Sequence, residues 1–251
     1  MSENGAPSTR RRAVILAGGL GMRMRPYTTV LPKPLMPVGD RPILDVIIRQ
    51  LARHRFERVT IVTGHLAELI EVFFGDGSKH GLGIDYFRED EPLGTAGALA
   101  SLDDLGEHFL VMNGDVLTDL DYAALLSGHV ESGAAATIAA HKRDVDISLG
   151  VLQFNDYADP ERLTGYVEKP TYHYEVSMGV YAFARRVLDY VEPGTRLDFP
   201  DLVLRLIERG ETVRAMRSED YWLDIGRHDD YETAMDEFER MRNRFLPDES
   251  Q

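Results

Sequence analysis

Short unbroken apolar runs alternate, through the first half of the chain, with segments whose apolar residues recur every three or four positions. The runs at 13–17, 59–63, 84–87 and 109–112 have the length and composition of buried strands. Between the first two, Pro42 at a first-turn position with Ile43, Leu44, Ile47, Ile48 and Leu51 behind it predicts a helix to about His54. Helical spacing returns at 66–74 and 95–102, with a glycine-punctuated loop over 75–83, and another helix starts near Asp121. Strands separated by helices pair in parallel through right-handed crossovers. The pattern therefore predicts an α/β fold: a three-layer, open, mostly parallel sheet with helices on both faces. Beyond residue 133 the rhythm changes. Segments 134–140, 150–154, 163–167 and 176–183 read as strands with few helices between them, and helices resume at 200–209 and from 228 to about 244. A mixed second half built on the same core is expected.

Composition narrows the possibilities. At 251 residues and 43% hydrophobic content the chain can bury one large core, expected over residues 11–245 behind a disordered tail at 1–10, with Arg10, Arg11 and Arg12 as a solvated basic run. No run of 18 apolar residues occurs and the polar first residues lack a signal-peptide core, so a cytoplasmic protein with no membrane partner is expected. The absence of cysteine excludes disulfides, thiolate metal sites and cysteine nucleophiles. A net charge of −14 argues against nucleic acid as a partner. The eight histidines show no metal-ligand spacing. Lysine is scarce beside arginine, alanine and aspartate, the usage of a GC-rich bacterial genome.

One segment stands out for chemistry. Strand 13–17 runs into Gly18-Gly19-Leu20-Gly21-Met22-Arg23-Met24-Arg25-Pro26, followed by Pro32-Lys33-Pro34. Glycines let backbone N–H groups approach a phosphate, and Arg23, Arg25 and Lys33 supply the charge. It is not a P-loop, for there is no G-x-x-x-x-G-K-[ST]. It is not a dinucleotide fingerprint either, because Gly19-Leu20-Gly21-Met22-Arg23-Met24 fails at the last glycine. Asn113-Gly114-Asp115 follows another buried strand, so a phosphate loop and a carboxylate meet at the carboxyl edge of one sheet. Hard oxygen ligands of this kind suit Mg²⁺.

The loop resembles the signature of the sugar-1-phosphate nucleotidylyltransferases, roughly L-A-G-G-x-G-T-R-x-x-P followed by P-K-P. Pro92-Leu93-Gly94-Thr95-Ala96-Gly97, Asn113-Gly114-Asp115, Val167-Glu168-Lys169-Pro170 and Trp222-Leu223-Asp224-Ile225-Gly226 are similar to the later motifs of that family, in its order and across almost the whole chain. Met22 stands where the family has threonine. The resemblance implies the Rossmann-like nucleotide-diphospho-sugar transferase fold, with a nucleotide-binding half at about 11–133, a sugar-binding half at 134–227 and a C-terminal helix at 228–245. The appended β-helix of some relatives has no counterpart in the repeat pattern.

The resemblance also implies roles. Ala17, Gly18, Gly19, Gly21, Met22, Arg23, Pro92, Gly94 and Thr95 would hold the nucleotide, with Arg23 and Lys33 catalytic. Asn113, Gly150, Glu168, Lys169 and Gly179 would hold the sugar phosphate, Glu168 reading hydroxyls and Lys169 meeting the phosphate. Asp115 and Asp224 would hold Mg²⁺, with Trp222 packed behind Asp224. The implied partners are a nucleoside triphosphate and a sugar 1-phosphate, and homo-oligomers are common in such families. The reaction would give an NDP-sugar and pyrophosphate by in-line attack on the α-phosphorus. Glu91-Pro92-Leu93-Gly94-Thr95-Ala96-Gly97 and Met178-Gly179-Val180-Tyr181 look most like guanylyltransferases for mannose- or heptose-type 1-phosphates, so GTP is the first choice; dTTP, UTP, ATP or a cyclitol phosphate would use the same scaffold. A silent nucleotide-sugar sensor is the reading of another class, with Met22 alone in its favour. A glycosyltransferase would carry D-x-D; Asp119-Leu120-Asp121 and Asp144-Val145-Asp146 match that string, but neither immediately follows an apolar strand.

Overall fold

The computed structural model describes residues 10–154 and 159–247. The expected tail therefore lies outside the described residues except for Arg10, which pairs with Glu57 at 3.7 Å. The basic run is not simply solvated. Arg12 opens the first strand with its side chain buried against Asp104, and Arg11 donates to the His54 carbonyl at 2.6 Å.

In chain order, β1 (Arg12–Ala17) leads through three short 3-10 turns to the small hairpin β2 (Pro37–Val38) and β3 (Arg41–Pro42), then α1 (Ile43–Arg53). Next come β4 (Arg58–Thr63), α2 (Ala67–Phe74), β5 (Gly83–Arg88), α3 (Gly94–Gly97), β6 (His108–Asn113), β7 (Val116–Thr118) and α4 (Tyr122–Ser132). The second half holds β8 (Ala136–Asp146), β9 (Val151–Gln153), β10 (Gly165–Val167), β11 (Thr171–Ala184), α5 (Phe199–Glu208), β12 (Val213–Ser218), β13 (Trp222–Asp224) and α6 (His228–Phe245).

Seven strands form one sheet in the order β12-β8-β11-β6-β1-β4-β5, parallel except for β11, which is antiparallel to both neighbours. Its central strands read as continuous apolar runs because both faces are covered. Along β1, Ala13, Ile15 and Ala17 face one core with α1, α4 and α6, while Val14 faces a second core with α3 and α5. In α1 the residues Ile43, Leu44, Val46, Ile47, Ile48 and Leu51 are all buried, and each such side chain contributes about 1.5–3 kcal/mol. Asp121 caps α4, accepting from the Ala124 N–H at 2.8 Å.

Three departures from the sequence pattern have physical reasons. The helix expected at 95–102 is a single turn followed by 3-10 backbone, because Gly94 sits at φ +78° and Gly97 presses against the Thr195 carbonyl. β8 and β11 extend well past their apolar stretches, as their polar ends pair only with each other, Thr171 opposite Asp146 through Glu175 opposite Lys142. β7, β12 and β13 are short or polar and leave no periodic signal. Among the described residues no helix is long and apolar enough to cross a membrane.

His129 is fully buried, its Nδ1 2.9 Å from Thr137 Oγ1 and its ring edge-on to His108 at 5.2 Å. Burial, then the neighbouring His108, holds its imidazole down at about 4, and burial lowers His108 as well. The unfolded chain thus takes up protons near pH 6.5 before the fold does, and stability falls as pH drops from about 6.5 toward 4. Between pH 6.5 and 5 His129 accounts for up to about 2 kcal/mol of that loss. Urea midpoints at the two pH values should differ in wild type, and His129→Gln should flatten the difference; an unchanged slope would refute the assignment.

Candidate active site

The connection out of β1 runs by α1 to β4 and on to β5, and the chain then returns to place β6 on the other side of β1. At such a switch point the loops leaving adjacent strands diverge and open a crevice beyond their carboxyl ends. A cavity of about 410 Å³ lies there. Ala17, Gly18, Gly19, Gly21, Met22, Arg23, Lys33, Pro92, Gly94, Thr95, Asn113 and Asp115 all line it, so the structure gathers 12 of the sequence-nominated residues into one cleft.

The glycine loop is packed on one side and open on the other. A Cβ on Gly64, just after β4, would lie 2.7 Å from the Gly18 carbonyl oxygen, and one on Gly18 would lie 2.8 Å from Glu89 Oε2. Gly21 takes φ +58° and its carbonyl accepts from Thr28 Oγ1 at 2.7 Å, fixing the turn into Met22–Met24. Gly19 differs: no protein atom lies within 4 Å of where its Cβ would be. Its lack of a side chain leaves room on the cleft side. Met22 is 62% exposed and packs into no core. Arg25 lines neither this cavity nor its neighbour; its carbonyl accepts from His228 Nε2 at 2.9 Å.

On the far wall β6 ends at Asn113, and the Gly114 N–H donates to the Leu16 carbonyl at 2.9 Å. β7 then pairs antiparallel with β13, Val116 opposite Asp224, and the Ile225 N–H donates to the Asp115 carbonyl at 3.1 Å. Two carboxylates far apart in sequence are thereby held side by side. Asp115 does not cap α4, which Asp121 does; it sits in the turn between β6 and β7, ion-paired with the buried Lys33 ammonium. Surrounding protein, and then the Asp115 charge, push the Asp224 carboxyl above the usual carboxylate range, against the pull of Lys33 and Arg23. Arg23 also lines a second cavity of about 520 Å³, and Asp224 lines only this one, with His141, Lys142, Arg143, Asp144, Trp222, Arg227 and Asp230. Trp222 anchors this wall, its Nε1 donating to the Met178 carbonyl at 2.9 Å.

The sugar-side residues are divided. Gly179, at φ +72°, lies against Asn113, where a Cβ would come 2.7 Å from Nδ2. Gly150, Glu168 and Lys169 sit at the ends of the separate β9–β10 hairpin and line neither cavity. The space in front of Gly150 is filled by the Tyr166 hydroxyl, which donates to Glu168 Oε2 at 3.1 Å. Glu168 and Lys169 are exposed. Of the D-x-D strings, Asp119 receives the Tyr221 N–H and Arg244 and Asp121 caps α4, while Asp144 and Asp146 bond His173 and Thr171 and Asp144 also lines the second cavity.

Glu89, Arg143, Arg227 and Asp230 line the cavities without having been singled out in sequence. Glu89 follows β5 within the charged run Arg88-Glu89-Asp90-Glu91, and its position at a strand's carboxyl end was the available signal. Its Oε1 accepts from the Leu93 N–H at 3.1 Å, and burial raises its carboxyl.

The two glycine environments separate folding from binding. Gly19→Ala should leave the melting temperature unchanged, a surface effect within about 0.5 kcal/mol, while weakening triphosphate binding at least about tenfold by filling the cleft. Gly64→Ala should lower stability, since the displaced atom is backbone. Calorimetric melts with and without nucleotide check both, and normal binding by Gly19→Ala would remove that glycine from the cradle.

Residues 12–240 match the model of the nucleotidyl transferase family. A UTP–glucose-1-phosphate uridylyltransferase of Synechocystis is 32% identical over 89% of this chain, and a mannose-1-phosphate guanylyltransferase of Mycobacterium tuberculosis is 31% identical over 87%; the chain spans 62% of the length of each. A D-glycero-alpha-D-manno-heptose 1-phosphate guanylyltransferase of Aneurinibacillus thermoaerophilus is 31% identical over 90% of this chain and 98% of its own. Among solved structures, a putative glucose-1-phosphate thymidylyltransferase from Bacillus anthracis superposes with a TM-score of 0.72 at 25% identity, covering 90% of this chain and 94% of that one. With the glycine loop, the paired aspartates and the mostly parallel sheet in place, the chain belongs to the sugar-1-phosphate nucleotidylyltransferase family.

Proposed function

We propose that the chain transfers a nucleotidyl group from a nucleoside triphosphate to a sugar 1-phosphate. The observation that carries this is the meeting of Lys33, Arg23 and Asp115 beside an open glycine loop in the switch-point cleft, with Asp224 held next to Asp115 on the wall of the adjoining cavity that Arg23 shares. An oxygen of the sugar phosphate attacks the α-phosphorus in line; the new P–O bond forms as the bond to the β-phosphate oxygen breaks, and pyrophosphate leaves with that electron pair. The nucleophile is already ionised, so no protein base is required, and the work is alignment and charge neutralisation. Arg23 offers a planar fork for phosphate oxygens and Lys33 a compact charge.

The residues present fit Mg²⁺. Asp115 and Asp224 are adjacent carboxylates, the Asp224 carboxyl raised first by burial and then by the Asp115 charge, and two carboxylates plus substrate oxygens are a common magnesium environment. Among the described residues no cluster of three or more metal-ligating side chains occurs, so substrate oxygens would complete such a site. When bound, the ion would neutralise developing phosphate charge. Asp115→Asn and Asp224→Asn should each lower turnover at least about a hundredfold, the scale of one lost preorganised electrostatic contact. Near-normal turnover at saturating Mg²⁺ would remove the altered residue from the site.

For the base, the reading is guanine and the carrying residue is Glu89. Its carboxylate lines the cleft beside Pro92, Gly94 and Thr95, and no cation lies within ion-pairing distance among the described residues. A carboxylate so placed favours neutral N–H donors. Guanine offers two adjacent ones, at N1 and the 2-amino group, whereas uracil and thymine flank their single N–H with carbonyls that a carboxylate repels. A heptose- or mannose-type 1-phosphate is the matching acceptor, supported by the guanylyltransferase of nearly equal length. A pyrophosphate-release grid of nucleoside triphosphates against sugar 1-phosphates should show GTP preferred. Glu89→Gln should erode that preference at least about tenfold, because a mismatched polar partner costs more than a missing methylene. A wild-type preference for UTP or dTTP would overturn the base assignment while leaving the reaction intact.

A further inference from the structure

The segment 89–97, which lines the active cleft through Glu89, Pro92, Gly94 and Thr95, is fastened to α5 by an exchange of caps. The first N–H groups of a helix have no partner within it. Asp198 stands at the N-cap position of α5, yet its side chain makes no capping bond to its own helix. Its Oδ1 instead accepts the Thr95 N–H at 2.9 Å and the Thr95 hydroxyl at 3.3 Å, in the first turn of α3. Thr95 Oγ1 in return accepts the Phe199 N–H, the first of α5, at 2.8 Å. Each side chain thus caps the other's helix. The backbone repeats the link: the Leu197 carbonyl accepts from the Ala96 and Gly97 N–H groups at 2.9 and 3.1 Å, and the Leu197 N–H donates to the Leu93 carbonyl at 2.9 Å. The fit is close, because a Cβ on Gly94 would lie 2.6 Å from the Leu197 carbonyl oxygen and 2.8 Å from Asp198 Oδ1.

The α5 side of this joint is rigid, since Phe199, Leu202 and Leu206 are buried in the second core. The cleft side is not, for Glu91 and Pro92 are exposed and Leu93, Gly94 and Thr95 only half-buried. Whatever holds Leu93 also holds Glu89, whose Oε1 accepts the Leu93 N–H. Thr95 itself has a single O–H, committed to Asp198, and so has no proton to offer a base. We propose that Asp198, which lies outside the sequence motifs and lines neither cavity, is a positioning residue for nucleotide recognition. Acting through Thr95, it holds 89–97 in the shape that receives the base, and Thr95 serves as a strut instead of a base contact. This rests on the reading of the cleft as a nucleotide site.

The test is titration calorimetry of GTP and UTP, with Mg²⁺, into wild type, Asp198→Ala, Thr95→Val and the double variant, a readout that needs no turnover. Loosening the joint lowers the fraction of molecules whose loop has the binding shape, and apparent affinity falls by that fraction. Asp198→Ala and Thr95→Val should each weaken the better-bound triphosphate at least about tenfold. The double variant should bind no more weakly than either, because both changes remove one and the same joint. Asp198→Asn and Thr95→Ser, which keep the accepting oxygen and the hydroxyl, should bind like wild type. In pyrophosphate-release assays Asp198→Ala should raise the KM for the triphosphate and leave kcat and the KM for the sugar 1-phosphate unchanged. Should Asp198→Ala not fold, Asp198→Ser, whose shorter side chain can cap α5 itself, takes its place. Fully additive losses would make Thr95 a direct base contact and overturn the proposal. A lowered melting temperature with unchanged triphosphate affinity would overturn it too, as the mark of a purely structural joint. Absence of triphosphate binding by wild type would instead overturn the nucleotide reading of the cleft, and this inference with it.

Discussion

The buried ion pair between Lys33 and Asp115 ties three separate segments of the chain together at the cleft. Lys33 sits in the turn that follows the glycine loop, Asp115 at the step between β6 and β7, and Asp224 on the strand that β7 holds in register. A lysine buried to this degree must have a carboxylate or pay a large desolvation cost. The carboxylate in turn needs that cation, because Asp224 lies beside it with no ion-pair partner of its own among the described residues. The pairing holds the Pro32-Lys33-Pro34 turn against the sheet and leaves Arg23 as an exposed cation at the cleft, which on the function proposed above would meet the phosphate. An acidic chain thereby presents positive charge at one place without collecting it everywhere.

The sheet supplies the geometry that makes this possible. Because β4 and β6 flank β1 on opposite sides, the loops after β1 and β6 diverge, and the glycines at 18, 64 and 114 let three backbones converge beneath the crevice. Gly64 and Gly114 meet backbone, a Cβ on Gly114 falling 2.9 Å from the Leu16 carbonyl oxygen, whereas one on Gly18 would meet the Glu89 carboxylate. These glycines are steric requirements of the fold. Gly19 is not, for its Cβ position faces open space at the cleft.

What could be read from the sequence follows the same division. The parallel half was legible because its strands are buried on both faces and announce themselves as apolar runs, and α1 because its six buried positions obey the helical period. The loop residues of the cleft were legible because phosphate chemistry restricts residue type: glycine, arginine, lysine. β7 and β13, which bring Asp115 to Asp224, were not legible; at three residues each they are below the length at which periodicity exists. Glu89 was hidden for another reason. A carboxylate in a run of charged residues has the sequence appearance of a solvated turn, and only the return of the chain beneath Gly18 encloses it. His80 is the converse case, a histidine at an element's end whose side chain is enclosed by α1.

The sugar-side motif shows how far motif and geometry can part. Glu168 and Lys169 lie beyond β10, on a two-stranded piece paired only with β9 and joined to the main sheet by the Ile147 N–H to Pro170 carbonyl bond at 3.0 Å and by the polar ends of β8 and β11. None of these segments contributes to either hydrophobic core. Their position is set by hydrogen bonds exposed to solvent, each worth only about 0.5–1.5 kcal/mol net, whereas Lys33, Asp115 and Asn113 are fixed by the close-packed sheet. Small changes in the hairpin would then shift its residues relative to the cleft without disturbing the phosphate machinery. On the function proposed above, such a division would leave the reaction to the core and the choice of acceptor to the peripheral hairpin.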